Sequence, residues 1–266
     1  MVARASGGDQ GLARALAFER ESIALIADRM SAIPEGWVAR TPSLPAVWDL
    51  NHVGLTEPVA LAELEPLLER ELSDLPYRHL VVQHEPTGER LERELLARGW
   101  KYERNVVMVL RREPDRGLDA SAVIEADEAG GLELMRQWTG ESKELREDPA
   151  AHRQVLETSR RIWERRGAQR LGVLGRDGAL AGITVLFSDG EVAQVEDVYV
   201  VPGERGRGFG RALVTRATVM AVQAGHELVF IVGDDRGWPK QLYAEIGFEP
   251  VTRTWDFHLG PGGWSD

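Results

Sequence analysis

Val195-Glu196-Asp197-Val198-Tyr199-Val200-Val201-Pro202-Gly203-Glu204-Arg205-Gly206-Arg207-Gly208-Phe209-Gly210-Arg211-Ala212-Leu213-Val214 reads as a strand, a glycine-rich turn and the start of a helix, without interruption. The β-branched and aromatic run 195–201 has the makeup of a buried strand, and Pro202 closes it. Gly206, Gly208 and Gly210 let the backbone approach a ligand closely, and the unpaired N–H groups of the first helical turn point outward. Arg205, Arg207 and Arg211 add positive charge at the same place, while Phe209 is a packing residue beside the turn. The arrangement is an anion cradle. It is not a Walker loop, because Gly210 is followed by Arg211-Ala212 rather than Lys-Ser/Thr. Nor is it the dinucleotide pattern G-x-G-x-x-G, since the order here is G-x-G-x-G.

What fits is Arg-x-x-Gly-x-Gly, carried by Arg205, Gly208 and Gly210. It resembles the pyrophosphate loop of the GNAT acetyltransferase superfamily, which binds acetyl-CoA. Downstream, the strand 227–232 is followed by Leu242-Tyr243-Ala244-Glu245-Ile246-Gly247-Phe248. That element is similar to the end of a GNAT domain, where a helix carries the tyrosine and a strand leaves after Gly-Phe. The residues before the loop fit as well. A short strand at 123–124 precedes helices at 129–139 and 149–166, then strands at 171–174, 180–187 and 191–201. Asp177-Gly178 and Asp189-Gly190 mark hairpin turns between those strands. Residues 119–266 are therefore expected to form an acetyl-CoA-binding domain.

The first half carries a fainter copy. Residues 12–30 have apolar positions at helical spacing, ended by Pro34 and Gly36. Residues 57–72 read as a helix divided by Pro66, 77–83 as a strand, 89–97 as a short helix and 106–110 as a strand. Gly247-Phe248 lies 148 positions after Gly99-Trp100. The same offset lays Leu80-Val81-Val82 on Leu228-Val229-Phe230, and Val47-Trp48-Asp49-Leu50 on Val195-Glu196-Asp197-Val198. One offset serving three separated elements reads as an internal duplication. In that register Glu57, Ala60 and Ala62 face Arg205, Gly208 and Gly210, and Leu95 faces Tyr243. The expected architecture is α+β: two tandem GNAT-like domains, each a mixed, mostly antiparallel sheet flanked by helices. Residues 1–115 form a degenerate copy without a cofactor loop, and the charged stretch 111–117 is the linker.

Composition narrows the partners. With no cysteine, disulfides, thiolate catalysis and a cysteine zinc site are excluded. A net charge of −11 argues against nucleic acid and is permissive of a cationic substrate. No apolar run is long enough to span a bilayer, and the N-terminus lacks a signal-peptide core, so a cytoplasmic protein, monomer or homodimer, is expected. The six histidines are scattered, with no spacing typical of a metal site. Trp48, Trp138, Trp163 and Trp238 are candidates for an acceptor pocket or for core packing.

Acetyl transfer to an amine asks that the amine lose a proton and the departing thiolate gain one. The resemblance implies that backbone groups of Val198, Tyr199 and Val200 pair with the pantetheine arm. It also implies that Tyr243 stands beside the sulfur as general acid. Strict alternation puts Val200, Val198, Glu196 and Gln194 on one strand face and Asp197 on the other. Glu196 is then the candidate general base, acting through water, or a carboxylate that attracts a cationic substrate. The expected activity is N-acetylation of a primary amine on a small acceptor, with acetyl-CoA as co-substrate and no metal. The alternatives are a non-catalytic acyl-CoA-binding or regulatory module and a transferase of a longer acyl group.

Overall fold

The computed structural model describes residues 8–114 and 120–260. The first half runs α1 (Gly8–Ile26), β1 (Arg29–Ile33), β2 (Gly36–Arg40), a 3-10 turn (Trp48–Leu50), β3 (His52–Leu55), α2 (Leu61–Leu72), β4 (Arg78–Val82), α3 (Glu85–Leu96) and β5 (Lys101–Leu110). The second runs β6 (Val123–Glu125), α4 (Glu128–Thr139), α5 (Lys143–Glu147), α6 (Pro149–Arg165), β7 (Gln169–Leu174), β8 (Leu180–Ser188), β9 (Val192–Val200), α7 (Phe209–Gln223), β10 (Leu228–Asp234), α8 (Pro239–Ile246) and β11 (Phe248–Leu259). Residues 115–117 of the expected linker, and the termini, lie outside the described residues.

The same ladder is built twice. β1, β2, β3 and β4 pair antiparallel, antiparallel and parallel in succession. β7, β8, β9 and β10 repeat that pattern. The offset of 148 holds from α2 onward, since Leu61 and Phe209 both begin a helix, and β5 starts just after Gly99-Trp100 as β11 starts on Phe248. It fails earlier. Val47–Leu50 is not the counterpart of β9: Trp48–Leu50 is a 3-10 turn held by Asn51, whose side chain donates to the carbonyls of Leu44 and Val47 and accepts from Thr41 N–H. The helical reading of 12–30 also overruns. Arg29–Ile33 is a strand, because Pro34 and Gly36 belong to a hairpin rather than to a helix end.

The halves do not close separately. Among the described residues the strands form one sheet of 11, in the order β1-β2-β3-β4-β11-β5-β10-β9-β8-β7-β6. Each half's last strand lies inside the other half's sheet: β11 pairs with β4, and β5 with β10. The cores are exchanged accordingly. Trp255 and Phe257 of β11 are fully buried among Leu64, Leu80 and Leu91 of the first half, and truncating such a side chain to alanine costs about 3–5 kcal/mol. Gly88 on α3 is required there, because a Cβ would stand 2.1 Å from the Trp255 ring. Val107 and Val109 of β5 join the second-half core with Phe18 of α1 and Phe230. At the seam, Asp235 accepts from Arg104 at 2.8 Å and from Arg253 at 3.0 Å. α1, α4 and α6 cover one sheet face and α7 and α8 the other.

Candidate active site

β9 and β10 are bonded from the pair Val192–Leu228 to the pair Val195–Ile231, and no further. β9 nevertheless runs on to Val200 and β10 to Asp234. Beyond Val195 the edge of β9 that faces β10 therefore makes no ladder bonds to that strand, while its other edge stays on β8, with Tyr199 opposite Ile183 and Val200 opposite Gly182. Backbone groups left open in a structured strand need a partner from elsewhere.

The register of β8 against β9 shifts inside this stretch: Ile183 faces Tyr199 and Val185 faces Glu196. Thr184 thus opposes two residues, Asp197 and Val198, which is a β-bulge. Asp197 takes a φ of 54°, and Thr184 Oγ1 donates to the Glu196 carbonyl at 2.9 Å. Aspartate is among the few side chains that tolerate this left-handed conformation. The bulge corrects the alternation argument. Gln194, Glu196 and Asp197 all face one cavity, on the side of α1, α4 and α6. Val198 and Val200 pack instead on the opposite side, with α7.

The acid groups are tuned by burial. Glu196 accepts from Gln194 Nε2 at 3.2 Å, and its pKa is held well above 4.5 by burial and by the charges of Asp197 and Glu19. Burial raises Asp197 to about 6, even though Trp163 Nε1 donates to it at 3.0 Å. Tyr243, 5% exposed, lies on the far side of the sheet among residues of α7 and α8. Burial, and then the charge of Glu196, push its phenol above the usual range, so it stays protonated. Its ring rests on Gly233, where a Cβ would approach Cε2 to 3.0 Å. Gly233 also lines the cavity. The gap after Val195 therefore connects the two faces, with Glu196 on one side and Tyr243 on the other.

At the glycine loop, Gly206 and Gly208 have φ of 78° and 81°, and an added Cβ at either would meet nothing within 4 Å. The cradle is open. α7 begins at Phe209, and its first bond runs from Ala212 N–H to Gly208 O, which places the amides of Phe209, Gly210 and Arg211 ahead of the helical ladder. The arginines are not free charges. Arg205 donates to the Val200 carbonyl at 2.9 Å and to Glu141 at 3.1 Å, tying the loop to the end of β9. Arg207 pairs with Glu204 and Arg211 with Glu245. Exposed pairs of this kind are worth ~0–1 kcal/mol, so a phosphate can displace them. Phe209 packs beside α7, with the Arg207 guanidinium 4.6 Å from its ring centre. Tyr199 stacks on Trp138 at 5.6 Å and donates to Glu141 at 2.8 Å.

The cavity holds about 920 Å³ and is shared by both halves. Its carboxylates are Glu19, Asp49 and Glu103 from the first half, Glu141, Glu196 and Asp197 from the second, and Asp256 from β11. Among the described residues no lysine or arginine lines it. Sequence reasoning missed five of these acids, Glu19, Asp49, Glu103, Glu141 and Asp256, and also His52, His79 and His258, which gather here despite their scatter along the chain. The exchange of β5 and β11 brings Glu103, Asp256 and His258 to the others, and no local pattern signals it. Trp48 and Trp138 line the cavity, whereas Trp163 is core and Trp238 is 68% exposed. Among the described residues no group of three or more His, Asp or Glu is arranged to hold a metal ion, and no helix is long and apolar enough to cross a membrane.

Residues 132–248 match the acetyltransferase (GNAT) family. Residues 132–248 therefore form a GNAT acetyltransferase domain, and a second, GNAT-like half stands in tandem with it. A segment of 68 residues is 35% identical to an uncharacterised N-acetyltransferase of Methanocaldococcus jannaschii, covering 24% of this chain and 30% of that protein. The match thus spans less than a third of that relative's length. A conserved Staphylococcus epidermidis protein of unknown function has the same fold over 91% of this chain and 97% of its own, with a TM-score of 0.70 at 10% identity. A GCN5-related N-acetyltransferase from Kribbella flavida aligns over 95% of this chain and 96% of its own, with a TM-score of 0.60 at 17% identity.

Proposed function

We propose that the chain moves an acetyl group from acetyl-CoA to a primary amine of a small acceptor. The observation that carries this reading is the gap between β9 and β10, with a carboxylate of raised pKa on one side and a buried phenol on the other. Acetyl-CoA supplies the thioester as acyl donor. The residues present suit it: the edge of β9 that β10 leaves at Val198–Val200, where Arg205 holds the Val200 carbonyl, offers its remaining backbone groups to an amide-bearing arm. Gly206, Gly208 and the amides of Phe209, Gly210 and Arg211 offer a pocket to pyrophosphate.

An alkylamine has a pKa near ~10 and arrives as a cation. The carboxylates of the cavity draw it in, and its charge favours the ionised form of Glu196. Glu196, a stronger base than a surface carboxylate, takes one proton from the nitrogen, directly or through water. The freed nitrogen attacks the carbonyl carbon. As the N–C bond forms the C–S bond breaks, Tyr243 gives its proton to the departing sulfur, and the second proton shed by the nitrogen passes through water to restore the phenol. Asp197, oriented by Trp163, adds negative charge beside Glu196 and keeps its basicity high.

The test is release of free thiol from acetyl-CoA in the presence of an amine panel, with the acetylated product identified by mass. Release with a small amine supports the reading. Tight binding of acetyl-CoA with no turnover of any amine would make the chain a binding module instead. Faster turnover of longer acyl thioesters would make it a different acyltransferase.

A further inference from the structure

The carboxylates of the cavity fall into two groups. Glu196 and Asp197 stand at the gap, whereas Asp49, Glu103 and Asp256 stand at the far end, beside His79 and His258. Asp256 and Glu103 face each other across β11 and β5. Asp256 accepts from Asn105 at 3.0 Å and lies 3.6 Å from His79 Nε2. One ring nitrogen at this end has no partner: His258 Nε2, in a residue only 5% exposed. A buried polar atom without a partner costs stability unless something else satisfies it. His258 is held neutral, down to about 4, by burial and by the charges of His79 and Lys101, and in the tautomer that protonates Nδ1 its Nε2 accepts. The Trp48 ring stands 5.4 Å from His258 and adds an aromatic wall of the kind that attracts cations. Carboxylates, an acceptor nitrogen and an indole together suit an ammonium group.

The spacing sets the length of the ligand. β11 is three strands from β9, or about 14 Å at the usual strand separation. Val107 links Val232 of β10 to Thr252 of β11, and Asp256 lies four residues beyond Thr252, roughly 13 Å along the strand. The two acidic ends are thus on the order of 15–20 Å apart at the backbone, and less at the side chains. Glu19 bridges them, for its charge interacts with both Asp256 and Glu196.

We propose that the acceptor is an extended small polycation, and that Asp49, Glu103, Asp256 and His258 bind its distal ammonium group while the reacting amine sits at Glu196. The proposal rests on the transferase reading for the reacting end only. The half that lost its cofactor loop then has a role of its own, measuring the acceptor.

The test compares α,ω-diamines with monoamines of the same chain length, which cancels the apolar contribution. At about 1.2 Å per bond of an extended chain, 1,10-diaminodecane reaches both ends and 1,4-diaminobutane does not. The expected kcat/KM for the long diamine exceeds that of decylamine by roughly tenfold or more, the scale of a charge-assisted hydrogen bond. The short diamine shows a smaller advantage over butylamine. Asp256→Asn, and independently Asp49→Asn in its solvent-contacting turn, shrink the long-diamine advantage about tenfold. Spermine and an aminoglycoside, run beside them, separate linear from ring-built polycations. An advantage that is independent of length, or untouched by both substitutions, overturns the proposal while leaving the transferase reading intact. Calorimetric binding of the long diamine that is lost in Asp256→Asn, with no amine ever acetylated, supports the cation site and removes the transferase reading instead.

Discussion

In the first half β3 stays bonded to β4 to its last residue, Leu55, and Gln83 N–H still reaches the Leu55 carbonyl at 2.9 Å. In the second half β9 leaves β10 after Val195 and runs on alone. The difference follows from a few residues. β3 has no bulge and ends at Leu55, whereas the Asp197 bulge lengthens and turns β9. Ala60 caps α2 with a φ of −74°, and Gly208 caps α7 at 81°. Leu95 is buried core, while Tyr243 reaches a glycine of β10. One ladder is sealed and contributes His52 and His79 to the cavity wall; the other is opened and can admit an acyl donor.

The largest expected effect tests that asymmetry directly. Gly208→Glu puts a side chain on left-handed backbone and a negative charge where phosphate would sit, so acetyl-CoA binding should be lost. Ala60→Glu, its counterpart on α2, should leave binding unchanged, and titration of the wild type should give one site per chain. Two sites, or equal losses in both variants, would break the comparison.

Glu196→Gln comes next, with a fall in kcat of about 10²–10³-fold, the usual scale for a general base. The pH profile sharpens it. Activity needs ionised Glu196, so the rate falls as pH drops through its raised pKa. Asp197 raises that pKa as a like charge, hence Asp197→Asn should move the acidic limb to lower pH. A limb that stays put in both variants would leave Glu196 only an electrostatic role.

Tyr243→Phe should be milder, roughly tenfold in kcat with acetyl-CoA affinity nearly unchanged, the pattern of an interaction made only in the transition state. Lost affinity with intact kcat would make Tyr243 a packing residue, as Leu95 is in the first half.

The second half was legible because its signals are contiguous. A strand, a glycine loop and a helix follow one another from 195 to 214, and Asp-Gly pairs with φ of 79° and 98° at Gly178 and Gly190 turn its hairpins. The first half was legible only from α2 onward. Its earlier strands are short, and the turn at Trp48–Leu50 is fixed by one asparagine side chain rather than by any periodicity. The strand exchange left no trace, since β5 and β11 would have the same apolar pattern in either sheet. The bulge was equally hidden: strict alternation is the best guess until a register shift overrides it. Those two features place Asp197, Glu103 and Asp256 in the cavity, so the loop and the tyrosine could be read in advance and most of the acceptor side could not.

The smallest expected effect concerns how α1, from the first half, seals the open face of the second. Glu19 on α1 is pushed to about 8, chiefly by burial and then by the charge of Asp256, against an ordinary value of 4.5. In the unfolded chain it ionises near 4.5, so between about 4.5 and 8 the fold holds a proton that the unfolded chain has released. Stability must therefore fall as pH climbs through that window and level off above it. Glu103, raised to about 7, and Asp197, raised to about 6, act in the same direction. Glu19→Gln cannot ionise and removes one contributor. Its melting temperature should match the wild type near pH 5 and exceed it by roughly a few degrees near pH 8.5, the shift that ~1 kcal/mol produces in a chain of this size. Parallel wild-type and variant melting curves across that range would mean that Glu19 escapes to water, and that α1 does not close the cavity over the gap.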